Sequence, residues 1–283
     1  MGASSSLSAN VTANSTRAIG LVAGEGKLPA LLAKSARERG YRVVALALSP
    51  DAQARVLPHS DKVHLIAPGQ LGRNMSLVRQ EGLKEIVFIG KVPKLNLLRN
   101  LHKLDWTAIR ELSKLPDFKD DTIQFAMGDI VESMGVKVLR QSDFLRHLFP
   151  DYGILTNREP SAAEYADVEF GLRVAKEIAR LDIGQTVVVK DQMIVSIEAI
   201  EGTDEAIKRA VGLARGPVVV VKVSKPNQDQ RFDIPTVGMN TLESMLSEQP
   251  GGVLALEAGE TMVVEKEEMV AFADEHQISM VAV

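Results

Sequence analysis

The sequence predicts an α/β protein of two domains: an N-terminal Rossmann-like domain with a parallel sheet, then a C-terminal mixed α/β (α+β) domain. Three observations carry this. The chain has 283 residues, about twice a typical domain, and its 45% hydrophobic and 25% charged residues lie near the globular average, so each half can bury a core. In the front half, short and continuously apolar runs alternate with helical stretches, the pattern of parallel strands covered on both faces. From residue 161 onward the pattern changes to hairpins mixed with crossovers.

The elements follow in order. Residues 18–23 (AIGLVA) read as the first strand; Gly24 and Gly26 follow, then a helix over 29–39 with Leu31, Leu32, Ser35 and Ala36 on one face and Gly40 as its stop. Residues 42–48 and 62–66 are the next strands, a helix covers 71–81 up to Gly82, and EIVFI at 85–89 is the fourth strand, closing at Gly90. Residues 95–115 and 121–134 read as helical, and 136–139 as a strand. Pro150-Asp151-Tyr152-Gly153 is turn chemistry, which places a linker at 146–160 between a nucleotide-binding-like domain at 17–145 and a catalytic domain at 161–283. Ser161 and Glu164 form a capping box that starts a helix running to about Leu181. The β-branched runs 186–190 and 193–197 flank Asp191-Gln192, the position of a hairpin turn. A helix over 203–214, a strand over 218–223, a helix over 241–249 and a strand over 253–256 come next. A short strand at 262–264, a helix at 266–276 and a strand at 279–283 complete the chain.

Composition excludes several functions. Lys plus Arg number 33 against 37 Asp plus Glu, a net charge of −4, so there is no basic footprint for nucleic acid. Zero cysteines remove disulfides, thiolate nucleophiles and thiolate metal sites. The five histidines, His59, His64, His102, His147 and His276, contain no HxxxH pair, so any metal is a hard cation held by oxygen, magnesium first. Residues 1–16 match a myristoylation start and two glycosylation sequons, yet their small polar composition reads as a flexible leader. No basic n-region precedes an apolar core there, and the longest apolar runs, such as 218–221, fall far short of the roughly 20 residues of a membrane span. A reducing, cytoplasmic setting is the expectation, with contact to a membrane surface left open.

Three segments can carry chemistry. Gly24-Glu25-Gly26 stands between the first strand and a helix, where glycines let the backbone approach phosphate and the helix N-terminus offers unpaired N–H groups. The third glycine of a dinucleotide fingerprint is replaced by Pro29, so an NAD(P)-dependent oxidoreductase is an alternative with only Asp51 for its ribose contact. The second segment, 222–241, packs Lys225, Gln228, Asp229, Arg231 and Asp233 between Pro226 and Pro235, right after the most apolar strand. Two carboxylates four residues apart beside two cations suit a magnesium-assisted reaction on a phosphate: the carboxylates hold metal or orient water, and the cations balance charge on phosphoryl oxygens. A non-catalytic nucleotide- or lipid-binding module is the other alternative, and it leaves that cluster without a task. The third segment joins Lys190, Asp191 and Gln192 to Glu198, Glu201, Gly202, Thr203 and Asp204 at a helix start, either an anion-organising site or ordinary capping.

Four stretches together resemble one family. GLVAGEGKLP at 20–29, GKV at 90–92, GQTVVVKDQMIVSIEAIEGTDEAI at 184–207 and VKVSKPNQDQRFDIPTVGMNT at 221–241 resemble the UDP-2,3-diacylglucosamine pyrophosphatases of the LpxI type, in lipid A biosynthesis. The resemblance spans about residues 17–283. It implies hydrolysis of the substrate's pyrophosphate to UMP and 2,3-diacylglucosamine 1-phosphate (lipid X), with attack at the phosphorus nearer the sugar. It further implies a divalent cation, Mg2+ or another hard metal, two domains enclosing the substrate, a homodimer, and a peripheral place at the inner face of the inner membrane. The essential acid falls within QDQRFD as Asp233 or Asp229, the two expected metal ligands, with Lys225 and Arg231 beside them. Gly24, Glu25, Gly26, Lys91, Lys190, Asp191, Gln192, Glu201, Gly202, Thr203, Gln228 and Thr236 are then expected to line the substrate.

Overall fold

The computed structural model describes residues 17–91, 104–115, 120–226 and 228–283. The leader expected at 1–16, and the first part of the helical stretch expected at 95–115, lie outside the described residues. The chain divides into two compact units at Val138/Leu139.

The first unit holds one five-stranded parallel sheet: β1 (Ala18–Ala23), β2 (Arg42–Ala47), β3 (Lys62–Leu65), β4 (Glu85–Ile89) and β5 (Lys137–Val138), in the order β3-β2-β1-β4-β5. Around it run α1 (Leu28–Glu38), α2 (Pro50–Val56), α3 (Leu71–Gln80), α4 (Trp106–Leu112) and α5 (Asp120–Ser133). The continuous apolar runs are explained by burial: Val43 to Ala47 of β2 are all inside, as strands covered on both faces require. Helix α2 was not expected, although its start signal is plain. Ser49 accepts the Ala52 N–H at 3.1 Å and Pro50 opens the helix, the usual N-cap followed by a residue with preset φ. Asp51 lies in its first turn, paired with Arg55.

The second unit contains α6 (Ser142–Leu145), β6 (Gly153–Ile154), α7 (Ala162–Arg180), β7 (Thr186–Lys190), β8 (Met193–Ile197), α8 (Thr203–Ala214), β9 (Val219–Lys222), β10 (Thr236–Val237), α9 (Met239–Glu243), β11 (Val253–Leu256), β12 (Met262–Val263), α10 (Lys266–Glu275) and β13 (Ser279–Ala282). Its main sheet is mixed, in the order β6-β13-β11-β9-β7-β8. The central β13, β11 and β9 are parallel; β6, β7 and β8 join antiparallel to their neighbours. Alternate residues of these strands serve two cores. Val188, Val220, Leu254 and Met280 pack with Ile207, Leu242, Met245 and Met269 on one face. Val187, Val189, Val221 and Ala255 pack with Val168, Ala175 and Ile178 of α7 on the other. Each fully buried aliphatic side chain contributes about 1.5–3 kcal/mol.

The segment expected as a linker, 146–160, packs on the second unit: Ile154 pairs with Val281, Leu155 N–H donates to Met280 O at 2.9 Å, and Arg158 donates to Ser279 Oγ at 2.6 Å. The helix expected over 241–249 starts earlier and stops at Glu243, because Met245 turns into the core. Strand β10, which pairs parallel with the expected strand at 262–264, went unread, since a two-residue strand carries no periodicity.

Candidate active site

In the second unit the parallel strands β9 and β11 end level with one another, Lys222 opposite Leu256. Ligand sites of open α/β sheets lie outside such carboxyl ends. Here the acidic loop leaves β9 and folds back on itself. Lys225 N–H donates to Gln228 Oε1 at 2.9 Å, and the Ser224 hydroxyl donates to the same oxygen at 3.1 Å. Gln228 Nε2 donates to Asp233 Oδ2 at 2.8 Å. The backbone closes a single turn, with Asp233 N–H donating to Asp229 O at 3.1 Å, so both carboxylates do share a turn.

The two carboxylates differ in what they meet. Arg231 covers Asp229: its Nε reaches both carboxylate oxygens at 3.0 Å, Nη2 reaches Oδ2 at 2.8 Å, and its own N–H reaches Oδ1 at 3.0 Å. Burial alone would raise Asp229, but these hydrogen bonds and the charges of Arg231 and Arg140 outweigh it and hold the carboxyl below its ordinary value. Asp233 instead accepts from a neutral amide. Lys225 Nζ donates to Asp182 Oδ1 at 2.5 Å. The two expected cations therefore each lean on a carboxylate, and a bound diphosphate has to compete for them.

Metal ligation can be tested against this donor set. Among the described residues no three His, Cys, Asp or Glu side chains gather as a cage. Magnesium needs no such cage, since it commonly takes one or two carboxylates and completes its shell with water and substrate phosphates. Asp233 fits that requirement. Asp229 fits poorly, because both of its oxygens are engaged by Arg231.

Residues far away in sequence hold the loop. Glu257, just past β11, accepts Ser224 N–H at 2.8 Å and Lys176 Nζ at 2.5 Å. Buried Gln141 donates through Nε2 to Phe232 O at 3.0 Å, and Gln230 Nε2 donates to Glu260 Oε2 at 3.1 Å. None of these had a local signal, because each matters only through a contact across the fold. Lys222 did carry one, a cation closing an apolar strand. It is 4% exposed and donates to Thr203 Oγ1 at 2.7 Å, while Thr203 donates to Glu198 Oε1 at 2.8 Å. Glu198 Oε2 is sealed from solvent without a hydrogen bond of ordinary geometry. Burial would raise Glu198, yet the Lys222 charge and neighbouring donors such as Thr203 hold it below its ordinary value. Thr203 thus sits at this end of the sheet as part of a buried polar chain, with Gly202 preceding it at φ +86 as the N-cap of α8.

Other expected residues serve the fold. Lys190, Asp191 and Gln192 lie at the opposite end of the sheet, since β7 runs antiparallel to β9 and Thr186, not Lys190, faces Lys222. Lys190 Nζ donates to Ala214 O at the end of α8. Asp191 and Gln192 have φ of +51 and +55, a hairpin turn whose N–H groups both donate to the Asp167 carboxylate. These contacts tie the three residues to the hairpin, at the end of the sheet away from the acidic loop. Glu201 pairs with Arg209, and the Thr236 hydroxyl donates to Ile234 O at 3.0 Å.

In the first unit the strand order reverses between β1 and β4, the position where such sheets bind ligands. Gly24–Gly26 follow β1 and Gly90–Lys91 follow β4. The two loops bond to each other: Glu25 N–H donates to Lys91 O at 2.8 Å and Lys91 N–H to Glu25 O at 3.0 Å. A Cβ on Gly24 would meet Gly90 O at 2.8 Å, and one on Gly90 would meet Glu25 O at 2.8 Å. Glycine is needed at both positions for this close approach. Gly26, at φ +99, faces open space instead, and α1 begins after it without a side-chain cap. A cavity of about 450 Å³ elsewhere in this unit is lined by residues such as His64, Arg73 and Asn74. It contains none of the expected site residues, and Asn74 is turned onto Ala67 O.

The chain matches the family profiles described as LpxI N-terminal domain, over residues 18–148, and LpxI C-terminal domain, over residues 151–281. It is 30% identical to the UDP-2,3-diacylglucosamine pyrophosphatase LpxI of Caulobacter vibrioides over 279 residues, covering 92% of this chain and 95% of that protein. Among solved structures it aligns with glycinamide-RNase-transformylase T from Mycobacterium tuberculosis at 12% identity and a TM-score of 0.26, covering 65% of this chain and 44% of that one. It also aligns with N5-carboxyaminoimidazole synthetase from Staphylococcus aureus at 16% identity and a TM-score of 0.23, covering 72% of this chain and 46% of that one. Scores this low have no bearing on fold or activity.

Proposed function

The chain belongs to the LpxI family, and from that membership we infer that it is a UDP-2,3-diacylglucosamine pyrophosphatase of lipid A biosynthesis. It hydrolyses the diphosphate of its substrate to UMP and 2,3-diacylglucosamine 1-phosphate. The observation that carries this is the match of both domain profiles, end to end, together with the Caulobacter relative. The oxidoreductase and the binding-module alternatives both give way to it.

Asp233 is the proposed catalytic carboxylate. What supports it over Asp229 is that Arg231 engages both oxygens of Asp229, whereas Asp233 takes the Gln228 amide in the loop that leaves the carboxyl end of the parallel strands. In the proposed reaction Asp233 orients water and takes its proton as the oxygen attacks the phosphorus nearer the sugar. The bond from that phosphorus to the bridging oxygen breaks, and UMP leaves with that oxygen. Arg231 and Lys225 turn toward the diphosphate. A magnesium ion held by Asp233 and the substrate's own phosphates supplies charge neutralisation when bound. Among the described residues no helix is long and apolar enough to cross a membrane; the acyl chains of the substrate are the ground for proposing peripheral contact with the bilayer.

Asp233→Asn is expected to lower turnover by about a hundredfold or more while thermal unfolding stays near the parent, the scale of losing a carboxylate that acts in the transition state. Asp229→Asn is expected to cost less in kcat. Steady-state release of UMP, with magnesium and with chelator, checks both. Parental rates in both variants would overturn the assignment.

A further inference from the structure

We propose that Gln228 is the positioning residue for Asp233: its side-chain amide is locked in one orientation and delivers an N–H to Oδ2. This rests on the assignment of Asp233 above. The lock follows from donor and acceptor chemistry. A backbone N–H can only donate, so the Gln228 atom 2.9 Å from Lys225 N is the oxygen. The Ser224 hydroxyl, at 3.1 Å, points to the same atom. A flipped amide would set N–H against N–H at Lys225. Nε2 therefore faces Asp233 Oδ2, 2.8 Å away, and an N–H there selects an acceptor oxygen and fixes the rotation of the carboxylate.

The amide is itself anchored from deeper in the fold. Ser224, 7% exposed, has its N–H on Glu257 Oε2 at 2.8 Å, and Glu257 Oε1 receives Lys176 Nζ from α7 at 2.5 Å. Lys176 Nζ also lies 3.4 Å from Ser224 O. An unbroken series, Lys176–Glu257–Ser224–Gln228–Asp233, thus connects the longest helix of the second unit to the reacting carboxylate. The Gln228 side chain meets Ser224, Lys225 and Asp233, all within this loop. That is why the geometry assigns it to positioning and not to the substrate-lining role expected from the sequence. Preorganisation of this kind matters because a misplacement of about 1 Å can cost a hundredfold in rate.

The test is steady-state hydrolysis of UDP-2,3-diacylglucosamine by the full chain, with thermal unfolding of each variant. Gln228→Glu keeps an oxygen for Lys225 and Ser224 and replaces the donor facing Asp233 by a carboxylate oxygen. Gln228→Ala removes the donor without adding charge. Both are expected to lower kcat at least tenfold, with KM within about twofold of the parent. Gln228→Glu is expected to keep the parental melting temperature within a few degrees, and Gln228→Ala shows the same split if Gln228→Glu does not fold. A loss confined to KM means that Gln228 contacts substrate, and a parental kcat in either folded variant means that it only braces the loop. Either result overturns the proposal. Asp233→Asn at the parental rate would sink the reading beneath it, whereas an inactive Asp233→Asn beside a fully active Gln228→Ala removes only the positioning role.

Discussion

Two carboxylates four residues apart look equivalent in the sequence, and their neighbours make them different. Arg231 covers Asp229 with side-chain and backbone donors, while Asp233 takes an amide. Spacing could not separate them, because the arginine lies between them in sequence and could serve either. The buried chain of Lys222, Thr203 and Glu198 is likewise only half legible: each residue carried a local signal, and the contact that joins Lys222 to the other two did not. It leads to a pH dependence. The folded carboxyl of Glu198 sits below its ordinary 4.5, so between the two values the unfolded chain binds more protons than the folded one. The stabilisation is complete above the unfolded value and drains away as pH falls through the folded one. Glu198→Gln is expected to be about 3 kcal/mol less stable than the parent at pH 7, the scale of leaving a buried charge without its partner. The gap should narrow as pH drops from about 5 toward 3. Calorimetric melting of both proteins across that range checks it, and a constant gap would refute the linkage.

Among the elements, those with strong local chemistry were readable. The capping box forms as expected: Glu164 N–H donates to Ser161 Oγ at 3.3 Å and Ser161 N–H to Glu164 Oε2 at 2.8 Å. Arg158 adds a fork onto the same carboxylate. Ser161→Ala should cost about 1 kcal/mol, read as a shift in denaturant midpoint, and Glu164→Ala should cost more because Arg158 is released with it. The contact of α7 with the sheet is tighter than the sequence reveals. A Cβ on Gly171 would meet Val221 Cγ2 at 2.6 Å and Val189 Cγ2 at 3.1 Å. Gly171→Val should therefore destabilise by about 1–3 kcal/mol through overpacking, against a near-neutral result if the helix can lift. The central parallel strands were legible because burial on both faces leaves them mostly apolar, as in Val43 to Ala47. Helices α2 and α9 were misjudged for opposite reasons: the first has a cap but little length, and the second has a helical pattern that continues past the turn where Met245 enters the core. The hairpin at Lys190, Asp191 and Gln192 marks a strand end whose place in the sheet was not legible in the sequence. The antiparallel course of β7, which a local pattern cannot show, puts that end away from the acidic loop.

For the molecule as a whole, each unit has its own sheet, and the second has a core on both faces. Residues 139–283 expressed alone are expected to unfold in one cooperative transition, followed by far-ultraviolet circular dichroism in urea. A broad, non-cooperative loss of signal would show that this unit depends on the rest of the chain. The turn residues at 150–153 lie where the two family profiles meet, and the strand they introduce closes one edge of the second sheet, whose unit begins at Leu139. Lys222 has one more consequence. With its amine sealed beneath two threonines, acylating reagents that tag surface lysines within seconds must wait for this end of the sheet to open. The rate of tagging at Lys222, followed by mass spectrometry, is therefore a clock for local breathing of the molecule, and a bound ligand that slows the clock without touching Lys222 reports that it has stiffened the whole unit.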